Sequence, residues 1–265
     1  MQTDDQEIPP TLPAPHPVIS WTGGKRRLLK HLLPLIPEHT TYCEVFGGGL
    51  ALFCAKAPSP AEIINDINGD LVSFYRCCKY HLDPLLDELD LVLNSRRDFE
   101  DYCAQPGLTD IQRAARWMIR NKLSFAGHGR NYAIARTQPL GSRSQRMVAI
   151  RALSHRLDRT NIECRSWEKI LDTYDSPAAF FFCDPPYLDD GGDCYDGWSR
   201  EELARFCARL KTLKARWLFT FQDCREVRQH MAGHRIKAIT RARGIVNKRV
   251  TDAGLYREVI IADRR

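Results

Sequence analysis

No apolar run in these 265 residues approaches the roughly 20 that a bilayer-crossing helix needs. The first 17 residues are rich in proline, carry acids, and lack the basic start and apolar middle of a secretory signal. Residues 1–17 therefore read as a disordered leader, and the chain as a cytoplasmic protein with no membrane partner. Ten cysteines are present, yet no two stand in a C-x-x-C spacing, which removes the usual zinc and dithiol patterns and leaves no expected metal site. Several lie inside apolar runs, such as Cys54 in Leu50-Ala51-Leu52-Phe53-Cys54 and Cys183 after Phe180-Phe181-Phe182, where a thiol behaves as a small hydrophobe. Free thiols in a reducing compartment are expected. A phosphate-binding P-loop is also missing: Gly24-Lys25 has the right ending, but position 19 is Ile rather than Gly, and Arg26 stands where Ser or Thr would hold magnesium. That argues against a nucleotide triphosphatase.

The last scarcity is of acids, in one stretch. Residues 111–160 hold ten arginines and Lys122 against a single acid, Asp158, a net +10 in a chain whose total is +6, so the remainder carries −4. A solvated helix face mixes both signs. A segment of one sign suits a polyanion, because neutralised phosphates release their condensed counterions, and nucleic acid is the expected partner.

What is there alternates between strand and helix patterns. An amphipathic stretch, Arg26 to Leu35, is predicted helical from the spacing of its leucines. Thr41 to Phe46 reads as a strand, Gly47-Gly48-Gly49 as a turn, Leu50 to Lys56 as a helix, Ala61 to Asp66 as a second strand and Gly69 to Tyr80 as a helix. This βαβ order implies a parallel sheet. From about Leu82 to Asn161 the pattern becomes arginine-rich and helical around a polar loop, Gly127 to Ser144, and reads as an insertion. The α/β rhythm resumes with a buried strand at Ala178 to Cys183, a loop from Asp184 to Gly197, a helix from Ser199 to Leu213, and strands at Arg216 to Phe221 and Glu258 to Ala262.

Two places carry chemistry. A glycine turn between strand and helix lets a ligand approach the backbone, and an acid about 20 residues on, at the end of the next strand, suits the hydroxyls of a ribose; Phe46-Gly47-Gly48-Gly49 and Asp66 fit, although Asp66 also fits a helix N-cap. The second is Asp184-Pro185-Pro186-Tyr187, directly after the most apolar strand. Two prolines stiffen this turn and leave their carbonyls free to accept. An adenine amino group is a poor nucleophile, because its lone pair is delocalised into the ring. The Asp184 carboxylate and the Pro185 carbonyl would accept its two N–H bonds and direct the lone pair at a methyl donor, and Tyr187 would stack on a base flipped out of the duplex.

The order Trp21-Thr22-Gly23-Gly24-Lys25, Glu44-Val45-Phe46-Gly47-Gly48-Gly49, Asn65-Asp66-Ile67-Asn68 and Asp184-Pro185-Pro186-Tyr187 resembles the S-adenosylmethionine-dependent N6-adenine DNA methyltransferases, from about residue 18 to the C-terminus. Arg120-Asn121-Lys122-Leu123-Ser124-Phe125 is similar to that family's Asn-Arg-x-x-Phe/Tyr segment, and Arg257 to Ile261 to its closing strand. Val45 departs from the usual proline and Lys122 from an arginine. The resemblance implies an α/β, Rossmann-like mixed sheet over 18–95 and 161–265, with a mostly helical target-recognition insert at 96–160. It also implies that Trp21, Lys25, Phe46, Gly47, Asp66 and Asp184 contact S-adenosylmethionine, and that Asp184 lies beside both cofactor and base. Duplex DNA would meet Arg120, Asn121, Lys122, Arg130, Asn131, Arg136, Arg143 and Arg146, most of them on phosphates and one or two on bases. A monomer acting on nucleoid DNA, with no metal and no covalent intermediate, is expected. The alternatives are N4-cytosine methylation, methylation of RNA or a protein glutamine, and a non-catalytic DNA-binding module.

Overall fold

The computed structural model describes residues 12–92, 95–133, 142–188, 198–242 and 255–263. The chain runs through a short helical segment containing α1 (Leu29–Leu32), then β1 (Thr41–Glu44), α2 (Ala51–Ala55), β2 (Ala61–Asn65) and α3 (Gly69–Tyr80). Four helices follow: α4 (Leu82–Leu91), α5 (Arg96–Ala104), α6 (Asp110–Lys122) and α7 (Arg143–Leu157). After them come β3 (Thr160–Glu163), α8 (Trp167–Tyr174), β4 (Ala179–Cys183), α9 (Arg200–Thr212), β5 (Arg216–Gln222), α10 (Arg225–His230), β6 (Arg235–Ala242) and β7 (Leu255–Ala262).

The seven strands form one sheet in the order β3-β2-β1-β4-β5-β7-β6. The first five pair in parallel, and β7 runs antiparallel to both β5 and β6. This is the expected Rossmann-like mixed α/β sheet. β4 sits at its centre, all five residues buried, as a strand covered on both faces requires. Side chains alternate across it. Phe180 and Phe182 join the core on one face with Tyr42, Ile64 and Leu218, whereas Phe181 and Cys183 join the other with Cys43, Ile63 and Phe219. Helices α4 to α7 build no core of their own: Leu85, Met118, Ile119 and Leu153 fall into the same cluster as Phe180 and Phe182.

Three local expectations change. The helix expected over Arg26 to Leu35 is a 3₁₀ turn, one turn of α1 and a second 3₁₀ turn, Leu33–Leu35, because Pro34 has no N–H to continue an α-helical ladder. β3 and β6 add to the strands expected from sequence, and β3 begins at Thr160, inside the end expected for the insert. The described cysteines are free thiols, six of them buried. No described helix is long and apolar enough to cross a membrane, and the described residues hold no metal-ligating cluster.

Candidate active site

The strand order reverses between β1 and β4: successive strands step one way through β2 and β3, and the other way through β5. Open α/β sheets take ligands in the crevice beyond the carboxyl ends of the strands at such a point. A cleft of about 680 Å³ lies there, bordered by Trp21, Phe46, Asp66, Lys122, Asp184 and Trp198 among others.

One wall is the glycine turn leaving β1. Gly47 N–H donates to the Asn65 carbonyl at 2.6 Å, and Gly48 N–H to Asp66 Oδ2 at 2.9 Å. Gly48 has φ +47°, and a Cβ there would stand 2.6 Å from the Trp21 indole nitrogen. Only glycine lets the indole lie against this backbone. Asp66 is 9% exposed, and its other oxygen accepts from Asn68 N–H at 2.9 Å. Burial pushes its carboxyl up from the ordinary value, against the pull of these amides. The N-cap of α3 is Asn68, which accepts from Leu71 N–H; Asp66 instead pins the glycine turn to the end of β2.

The opposite wall is the turn after β4. Asp184 Oδ2 lies 2.6 Å from Lys25 Nζ, and Oδ1 accepts from Thr220 Oγ1 at 2.7 Å. Lys25 is 4% exposed and also donates to the Gly23 carbonyl at 2.6 Å. A second carboxylate faces it from β7, Glu258, whose Oε1 is 3.7 Å from Lys25 Nζ and accepts from the Tyr187 hydroxyl at 2.9 Å. Burial pushes the Asp184 carboxyl up; Lys25 and Thr220 pull it down, and Glu258 adds to the rise. The arrangement is a carboxylate lining the cleft, paired with the buried Lys25 side chain and fixed in direction by a hydroxyl.

Residues 21–245 match the family model of D12 class N6 adenine-specific DNA methyltransferases. The chain belongs to this family. It is 29% identical to a type II methyltransferase, M1.LlaDCHI of Lactococcus lactis subsp. cremoris, over 77% of this chain and 78% of that one. It is 24% identical to the DNA N-6-adenine-methyltransferase of Escherichia phage P1 over 92% of this chain, which spans 35% of the phage protein. A 25% identity links it to the type II methyltransferase M.CviBI of Paramecium bursaria Chlorella virus NC1A, over 82% and 87% of the two chains.

In this D12-class chain the fold brings Trp21, Lys25, Phe46, Gly47, Asp66 and the Asp184-Pro185-Pro186-Tyr187 turn to one cleft. Tyr187 lines the cleft from a braced position. It is 5% exposed, packs edge-on against Phe221 at 5.1 Å and gives its hydroxyl to Glu258, which braces the turn. Among the basic residues, Lys122 borders the cleft, and burial with the neighbouring Arg146 pushes its amine down to about 8. Arg130 and Asn131 are exposed on the loop after α6. Arg143 is engaged with Asp90 at 3.2 Å, and Arg120 donates twice to the Gly129 carbonyl at 3.1 Å. Arg136 lies outside the described residues. Asn121, expected to meet DNA, is placed 2% exposed with its amide bonded on both atoms within the protein.

Three further residues belong to the site although the sequence does not single them out. Thr220 and Glu258 lie in strands whose pattern is otherwise apolar. Glu44, at the end of β1, enters the sequence pattern only as part of the glycine motif; burial pushes its carboxyl up to about 8.

Proposed function

We propose that the chain transfers a methyl group from S-adenosylmethionine to N6 of an adenine turned out of duplex DNA. The observation carrying this reading is Asp184, held between Lys25 and Thr220 at the carboxyl end of the central strand, across the cleft from the glycine turn. The walls suit the cofactor: a backbone approach that a Cβ would fill, a carboxylate at the end of β2 for a ribose, and a volume within the few hundred to about a thousand Å³ usual for small-molecule sites. Trp21, Phe46, Gly47 and Asp66 would hold it, and when bound it supplies an electrophilic methyl on sulfonium sulfur.

The chain's own residues do the rest. Asp184 and the Pro185 carbonyl accept the amino hydrogens, which draws the nitrogen lone pair out of the ring's π system and aims it into the cleft. Pro186 keeps the turn from relaxing. Lys25 opposes the upward push of burial on the Asp184 carboxyl and so favours its acceptor form. Tyr187 and Glu258 hold Lys25 and the turn in register. Residues 96–160 would read the DNA, with Arg130, Asn131, Arg136 and Arg146 toward phosphates or bases and Lys122 where the turned-out nucleotide enters. Asp184→Ala is expected to lower transfer of labelled methyl to unmethylated DNA by at least about 10²–10³-fold, the usual cost of one preorganised polar group. Turnover near the parent level in a folded variant would overturn the assignment.

A further inference from the structure

Helix α6 and the N-terminal segment that lines the cleft are joined chiefly through one side chain. Asn121 stands near the end of α6 and is 2% exposed. Its amide oxygen accepts from Ser20 N–H at 2.8 Å, and its amide nitrogen donates to the Ser20 carbonyl at 2.7 Å and the Gly127 carbonyl at 2.8 Å. Both backbone groups of Ser20 are thus paired as a neighbouring strand would pair them, by a side chain 101 positions away. Gly127 completes the junction. Its φ is +81°, and any Cβ there would run into the Ser20 carbonyl oxygen and stand 2.8 Å from the Asn121 amide nitrogen. Thr22 Oγ1 adds contacts to the Ala126 carbonyl at 3.4 Å and His128 Nε2 at 3.1 Å.

What lies on either side gives the junction its meaning. One residue beyond Ser20, the Trp21 indole rests on Gly48, and four further on Lys25 reaches Asp184 at 2.6 Å. On the other side the loop carries Phe125, 55% exposed, and the exposed Arg130. We propose that Asn121 is a positioning residue that ties the DNA-facing loop 125–131 to the segment holding Trp21 and Lys25, so that DNA held by the loop fixes the donor pocket relative to Asp184. This rests on the methyl-transfer reading above. Two backbones joined by three hydrogen bonds through one buried side chain move together, and group transfer depends on alignment to a fraction of an ångström, whereas binding either ligand alone does not. The coupling is reciprocal by linkage, so cofactor binding also biases the loop.

Asn121→Ala removes the junction, and Gly127→Ala forces it apart while leaving the asparagine in place. The probes are S-adenosylhomocysteine by calorimetry, sheared unmethylated genomic DNA by filter binding, and hydrogen exchange of residues 18–25 with and without that DNA. Each protein is measured well below its own melting temperature. In the parent chain DNA is expected to slow exchange at 18–25. Both variants should lose that response and keep each separate affinity within about threefold, while turnover falls about tenfold or more, the scale of a small misplacement. A folded variant with parental turnover, one that keeps the exchange response, a parallel loss of both affinities, or a parent chain without the response would each overturn the proposal. If the parent shows the response but methylates no DNA, the activity reading fails and the coupling stands.

Discussion

Glu44 shows how much of the site's character is set by burial of single residues. It ends β1 and is 1% exposed, and its Oε1 accepts from the Tyr42 hydroxyl at 2.7 Å and Phe53 N–H at 2.5 Å. Burial outweighs those donors and the nearby Lys56, and the carboxyl is pushed from 4.5 up to about 8. The sign follows directly. The folded chain keeps this proton until about pH 8, while the unfolded chain releases it above 4.5, so unfolding liberates a proton between those values and stability falls as pH rises through the window. Each tenfold difference in proton affinity between the two states is worth about 1.4 kcal/mol, so the loss is on the order of a few kcal/mol. Glu44→Gln keeps an acceptor for Tyr42 and Phe53 and cannot ionise. Its urea midpoint should therefore fall less than the parent's between pH 5 and pH 8.5, and equal slopes would sink the idea. The same scale explains why Lys25 and Asp184 could be named from sequence but two of their partners could not: motifs fix the lysine and the aspartate, while Thr220 reaches Asp184 and Glu258 reaches Lys25 only through the register of β5 and β7.

At the scale of elements, what was legible was whatever a periodic apolar pattern marks. β1, β2, β4, β5 and β7 each carry runs of buried residues, and the glycine turn and the proline-proline turn punctuate two of them. β3 was not legible because Thr-Asn-Ile-Glu has one large apolar residue in four. β6 was not because among the described strands it lies at the edge, paired with β7, and its Arg235, Lys237 and Thr240 are not buried. Such strands are recruited by their neighbours rather than by their own burial. The glycine turn makes the strongest element-level claim. Gly48→Ala adds a Cβ at φ +47° that would stand 2.6 Å from the Trp21 indole nitrogen. Strain of about 1–3 kcal/mol at this one wall should weaken S-adenosylhomocysteine binding by about tenfold or more, while DNA binding without cofactor is unchanged. Calorimetry showing parental affinity for the thioether would remove the glycine turn from the cofactor site.

For the whole molecule, the charge map read from sequence overstates what is offered to DNA. The basic window begins one residue after Asp110, which pairs with Arg113, and three more of its arginines meet acids elsewhere in the chain: Arg143 with Asp90 at 3.2 Å, Arg151 with Asp83 at 3.2 Å, and Arg156 with Glu62. Arg156 is an internal strut, 8% exposed, with its guanidinium over the Phe53 ring at 3.7 Å. At least four of the eleven cations therefore already have carboxylate partners, because the fold lays α4 and β2, which carry Asp83, Asp90 and Glu62, beside α7. The consequence is quantitative. Each neutralised phosphate contributes about −0.9 to the slope of log affinity against log salt, so the other seven cations set a bound of about −6, against about −10 for all eleven. Filter binding between 50 and 200 mM salt, roughly the range over which such slopes are measured, checks this, and a slope near −10 would mean that the internal pairs open on DNA. Arg130→Ala, on the exposed loop, should then make the slope shallower by about one.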